Sequence, residues 1–226
     1  MNISEELQGA ASPQLREFNR RIANTALPIY GVKVPYLRAM AKRIVREGKA
    51  DEFLEHTPTD YLEERLLYGF VLGMKKETPE SFLVGLKKFL PLVENWAICD
   101  CCVSTFRIIE KNKEFFFPTV KSLLTEEEPF SCRVGVIMLM DFYLEESYLD
   151  FIFSEIEKIT SGRYYVDMGI AWLLSVCFVK YKEKTEAFLA DCSLSNFTYN
   201  KTLQKIVESN RVTKEEKVII RSKKRK

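Results

Sequence analysis

The 226-residue chain has one histidine, His56, between Glu55 and Thr57. With that single imidazole, a catalytic dyad or triad built on histidine is not expected. Metal sites are equally poorly supplied, because Cys99-Asp100-Cys101-Cys102 crowds three cysteines together instead of setting them out as separated ligand pairs. No uninterrupted apolar run approaches the ~20 residues that span a bilayer. The longest candidates are broken by charges such as Asp141 and Asp167. The N-terminus places Glu5 and Glu6 where a signal peptide carries basic and then apolar residues. A soluble, cytoplasmic protein is expected, bound neither to a membrane nor to a metal. In that setting the six cysteines (99, 101, 102, 132, 177 and 192) read as reduced thiols acting as small hydrophobes.

What the chain does have is apolar content and segregated charge. At 46% hydrophobic and 29% charged residues it can bury a core, which excludes intrinsic disorder. The net charge of +2 conceals a basic first segment, an acidic middle and a basic end. Residues 1–50 hold 9 Lys and Arg against 4 Asp and Glu, and residues 201–226 hold 10 against 3. Between them, residues 51–200 hold 15 against 25. A solvated surface with a frayed basic end accounts for this pattern. So does an electrostatic footprint for a polyanion.

The apolar residues recur at helical spacing: Leu66, Leu67, Phe70 and Val71, then Leu83, Leu86, Phe89 and Leu90, and later Ile170, Trp172, Leu173, Val176 and Cys177. Asn-Gly and Asp-Gly hairpin signals are missing. Pro35, Pro58, Pro79 and Pro129 each fall where a helix would start. Candidate inner helices begin near Tyr61, Asn95, Cys132, Tyr164 and Thr198, at intervals of 34, 37, 32 and 34 residues. Second helices fall between them, around 81–91, 113–124, 147–159 and 184–190. A two-helix unit repeating at about 35 residues predicts an all-α fold, an α-solenoid of HEAT-like antiparallel pairs curved round a concave groove. No linker divides the chain, so one domain over 1–226 is expected, with a basic tail from about 211.

Polar and aromatic residues on the predicted inner helices are the candidates for chemistry. Trp96 and Asp100 are four apart and share a helix face, and Arg133 opens the next inner helix. Core packing for the indole and an ion pair for Asp100 with Arg133 would explain them structurally. Together they also suit a cationic planar group beside an anionic backbone. The indole attracts the cation, the carboxylate balances developing positive charge, and the guanidinium grips phosphate.

At these residues the chain resembles the DNA alkylation repair glycosylases built from HEAT-like repeats (the AlkD-like family). The resemblance rests on Tyr30-Gly31-Val32-Lys33-Val34-Pro35-Tyr36-Leu37-Arg38, the Trp96…Asp100 segment, and Arg133 followed by Val-Gly-Val. Ala171-Trp172 and Tyr199-Asn200-Lys201-Thr202-Leu203-Gln204-Lys205 extend it over nearly the whole chain. Around Trp96 the wording Asn95-Trp96-Ala97-Ile98-Cys99 lacks a second aromatic beside the first, which implies a divergent subgroup. The resemblance implies excision of positively charged N3- or N7-alkylated purines from double-stranded DNA, by a monomer that needs no cofactor. It casts Asp100 as the catalytic carboxylate, Trp96 as the aromatic at the lesion, and Arg133 as the groove arginine. Trp172 becomes a second aromatic near the lesion.

In the last fifth of the chain, Lys201 and Lys205 are expected on DNA. So are Arg211 and Lys214, which recur with Lys217 and Arg221 at three- and four-residue spacing. Two other functions fit a helical-repeat protein: DNA binding without catalysis, and a scaffold whose concave face takes a basic peptide or helix. Steep weakening of binding with salt would mark DNA.

Overall fold

The computed structural model describes residues 2–159 and 161–226, and among these there is no strand and fifteen α-helices. The chain condenses into two compact units, one ending at Phe116 and the other beginning at Phe117.

The first unit contains α1 (Ile3–Gly9), α2 (Pro13–Ala23), α3 (Val34–Arg46), α4 (Ala50–His56), α5 (Leu62–Met74), α6 (Pro79–Phe89), α7 (Trp96–Val103) and α8 (Ile108–Lys111). Here α5 packs between α3 and α7. Leu62, Leu66, Leu67, Phe70, Val71 and Leu72 of α5 are all buried, so apolar contacts surround this helix on most sides. Its outer neighbour α6 buries only the stripe Phe82, Leu86 and Phe89, spaced for one helix face. Phe82 and Phe89 meet Phe106 edge-on, with ring centroids 5.1 and 5.7 Å away. The close approach of α5 and α7 depends on Gly69. A Cβ there would stand 2.7 Å from Cys102 Cβ and 2.8 Å from the Phe89 ring.

The second unit holds α10 (Pro129–Phe142), α11 (Leu149–Lys158), α12 (Tyr164–Lys180), α13 (Lys182–Asp191), α14 (Asn196–Glu208) and α15 (Lys214–Ser222). The remaining helix, Lys113–Leu124 (taken in chain order as α9), runs across the division between the units. In the second unit α12 packs between α10 and α14, repeating the scheme of α5. Another helix of this unit, α11, again buries a single stripe, Leu149, Ile152, Phe153 and Ile156. This alternation of enclosed and one-faced helices is the arrangement of helix pairs that defines an α-solenoid.

Helix starts follow local chemistry. Ser12, Thr78, Asn95, Ser195 and Thr213 each cap a helix with a side-chain oxygen that accepts a backbone N–H. Pro35, Pro79 and Pro129 lie in first turns as their spacing predicts. Pro58 does not: it lies in the link after α4, and α5 begins only at Leu62. The helix expected near Cys132 starts three residues earlier, because Glu128 accepts from Ser131 N at 2.6 Å and fixes the entry there.

Buried carboxylates tie the connections down. Glu63, 1% exposed, accepts from the backbone N–H groups of Tyr30, Gly31 and Val32 at 3.0, 2.8 and 3.1 Å. Gly31 has φ +89°, which suits glycine, and its carbonyl accepts from Ser12 N at 2.9 Å. Glu64 accepts from the Tyr30 hydroxyl and from the backbone N–H of Asp60 and Tyr61. Burial pushes the Tyr30 hydroxyl up to about 12.

The basic end is a strap. The Arg225 guanidinium stacks 3.8 Å from the centroid of the Tyr199 ring and donates to the carbonyls of Leu194 and Cys192 at 2.9 and 3.0 Å. Asn200 both accepts from Arg225 N and donates to Arg225 O, each at 2.9 Å. Asn196 donates to the Lys226 carbonyl at 2.6 Å.

Candidate nucleic-acid interface

The first group of candidate residues sits on α7. Asn95, fully buried, accepts from Ala97 N and Ile98 N at 2.9 and 3.0 Å. The cap starts the helix at Trp96 and sets Asp100 one turn further on, along the same face. Both side chains are half-buried. The indole Nε1 donates to the Ile22 carbonyl at 3.0 Å, tying Trp96 to the last turn of α2. Asp100 adjoins Cys101, whose thiol is pushed up by burial and by the Asp100 charge and pulled down by Arg38.

Arg38 is the residue of this region that the sequence pattern does not single out as a site residue. It lies on α3, its guanidinium 5.3 Å from the Phe70 ring centroid and Nη2 3.5 Å from the Cys101 carbonyl. Its buried Nε makes no hydrogen bond. The signals for it are its place at the end of the Tyr30–Arg38 motif and its position flanking the apolar face formed by Leu37, Met40, Ala41 and Ile44.

In the second unit, Arg133 is 5% exposed, and its Nη1 donates to the Tyr165 carbonyl in the first turn of α12. The sequence suggests a guanidinium open to phosphate; helix packing encloses it, against Gly169 as well. Asp167, on the same turn, is 2% exposed and accepts from Thr198 Oγ1 and Gly162 N, both at 3.0 Å.

Three residues expected on DNA do come together. Trp172, 37% exposed, lines an open cleft of about 340 Å³ with Lys205 and Arg211, floored by Val176 and Val179. Lys201 stands elsewhere, its Nζ 5.7 Å from the Phe197 ring centroid and 3.2 Å from Gln204 Oε1. Lys214, exposed at the start of α15, lines neither this cleft nor the one beside Phe197. Among the described residues no three His, Cys, Asp or Glu side chains gather as a metal-ligand set, and no helix is long and apolar enough to cross a membrane.

Stacked helix pairs, an indole and carboxylate one turn apart, and a second indole sharing a cleft with two cations define a helical-repeat protein with a chemically furnished surface. Residues 3–207 match the family of DNA alkylation repair enzymes, and the chain belongs to that family. No curated protein matches the chain. Membership makes it a protein of an enzyme family of DNA alkylation repair, with DNA as the substrate implied.

Proposed function

We propose that the chain is a monofunctional DNA glycosylase that hydrolyses the N-glycosidic bond of positively charged N3- or N7-alkylated purines in duplex DNA. The observation that carries this reading is the pair Trp96 and Asp100 on the first turns of α7, in a chain of the alkylation repair family. Alkylation at N3 or N7 leaves the purine cationic, so it departs as a neutral base. Bond cleavage then passes through an oxocarbenium-like sugar. A leaving group this good needs no general acid, metal or redox cofactor, and one carboxylate suffices.

In this reading Asp100 stabilises the deoxyribosyl cation and orients the attacking water. Trp96, its ring held by the bond to Ile22, receives the cationic lesion or sugar on its face. Trp172, Lys205 and Arg211 contact the DNA backbone, and Lys201 and Lys214 add charge to the same end of the chain. Arg133 is a positioning residue that fixes the first turn of α12, the helix that carries Trp172. The reading assigns water as the nucleophile and no Schiff-base lysine, so the product is an abasic site. The protein acts as a cytoplasmic monomer on the nucleoid.

Incubation with randomly methylated DNA and chromatography of the released bases tests the reading. Wild-type protein releases 7-methylguanine or 3-methyladenine; Asp100→Asn releases neither and still binds DNA. Unchanged release by Asp100→Asn overturns the mechanism, and no release by wild-type protein leaves a DNA-binding module.

A further inference from the structure

A second cleft, of about 580 Å³, opens along α14, between that helix, α15 and the C-terminal strap. Its floor is apolar, Leu203 and Val207, and its wall carries Phe197, 42% exposed. Three cations stand round it, Lys201, Arg221 and Lys224, and none of the described residues lining it is acidic. Such a volume exceeds that of a single nucleotide, and mixed aromatic and basic walls are how ligand sites orient a planar anion.

Lys224 is not a loose tail residue here. The residue after it is locked by the Tyr199 stack and the Asn200 pair, and the residue before it reaches Glu186 at 3.5 Å. Its main chain is therefore tied down at the rim before any ligand arrives. Lys201 already lies over the Phe197 ring, so a phosphate held at Nζ brings an attached base within reach of that ring.

We propose that this cleft binds an unpaired nucleotide, with its base against Phe197 and its phosphate among Lys201, Arg221 and Lys224. The chemistry is that of a nucleoside monophosphate, free in solution or carried in a single DNA strand. Aromatic stacking supplies sequence-tolerant affinity and the cations supply the salt-dependent part. The site stands independently of base excision, since no alkylated base is needed to fill it.

Calorimetric titration of the full chain with 2′-deoxyadenosine 5′-monophosphate, deoxyadenosine, inorganic phosphate and the single strand (dA)8 tests it. The monophosphate binds at least tenfold more tightly than phosphate or the nucleoside alone. Phe197→Ala weakens it about tenfold, the loss of one stacked base. Phe197→Leu, which keeps apolar bulk, weakens it similarly, and Lys224→Ala weakens it with a shallower salt dependence. Binding of both the monophosphate and (dA)8 identifies a strand as the source; binding of the monophosphate alone identifies a free nucleotide. Equal affinity for phosphate and monophosphate, wild-type affinity in both Phe197 variants, or no binding by any probe overturns the site. Since no alkylated DNA enters this titration, its failure leaves the excision reading untouched.

Discussion

Trp96 and Ile22 are joined by one bond, indole N–H to main-chain carbonyl at 3.0 Å, across 74 residues of sequence. The ring that the proposed mechanism uses is thus also a clasp between α7 and the end of α2. Trp96→Phe keeps an aromatic face and removes the donor together with the smaller ring of the indole. The expected loss is about 1 kcal/mol of unfolding free energy, the worth of one such hydrogen bond. Base release falls with it, because the ring is no longer held. Urea denaturation alongside single-turnover release measures both, and an unchanged midpoint would show that the clasp contributes nothing.

Glu63→Gln tests the buried carboxylate. The amide keeps the shape but loses the charge that three backbone N–H groups share, and it introduces a donor of its own. Charge-assisted bonds to a buried acceptor lead to an expected destabilisation of about 2–3 kcal/mol. Chemical denaturation reads it, and hydrogen exchange at Tyr30, Gly31 and Val32 localises it.

Arg225→Ala removes the stack on Tyr199 and both bonds to the chain before α14. It costs about 2–3 kcal/mol, from one cation–π contact and two hydrogen bonds. Lys223→Ala, which breaks only an exposed pair with Glu186, changes stability by less than about 0.5 kcal/mol. Similar melting curves for the two variants would refute the strap.

Lys205→Ala combined with Arg211→Ala lowers DNA affinity and flattens its dependence on salt. Each cation withdrawn from a phosphate reduces the log–log slope by about one, so the double variant reduces it by about two. Anisotropy titrations at several salt concentrations supply the slope, and an unaltered slope removes these residues from the interface.

Alkaline stability follows from buried acids that stay neutral. Burial raises the Cys177 thiol from 9.0 to about 12 and the Tyr30 hydroxyl from 10.0 to about 12, and it lifts Cys102 well above its ordinary range. Above pH 9 the unfolded chain releases these protons while the folded chain retains them, so the folded state loses ground as pH rises. Its stability is full below that point and falls progressively toward pH 12. Melting temperatures measured at intervals across this range check the slope; a flat profile would refute it.

The repeating helices are legible in the sequence because their starts carry chemistry of their own. Asn95, Tyr164 and the prolines at 35, 79 and 129 mark entries within a residue or two. Apolar spacing by itself separates α6 and α11 as outer helices. The role of Glu63 is hidden, since an acidic first turn reads as complementing the helix dipole while its true partners lie 31 to 33 residues earlier. The strap is hidden for a similar reason. A run of Lys and Arg looks solvated until Tyr199 and Asn200 are seen beneath it. Arg133 resembles a phosphate ligand because nothing local announces that the Tyr165 carbonyl waits 32 positions on.

Position 69 sets a limit on how this chain can vary. With only a hydrogen there, α5 lets the Cys102 side chain lie directly against its backbone, and the helix bearing Asp100 takes its seat from that contact. Any larger residue would act as a wedge, pushing the carboxylate outward without touching it. Activity could then be lost through a substitution on a neighbouring helix, in a protein that still folds.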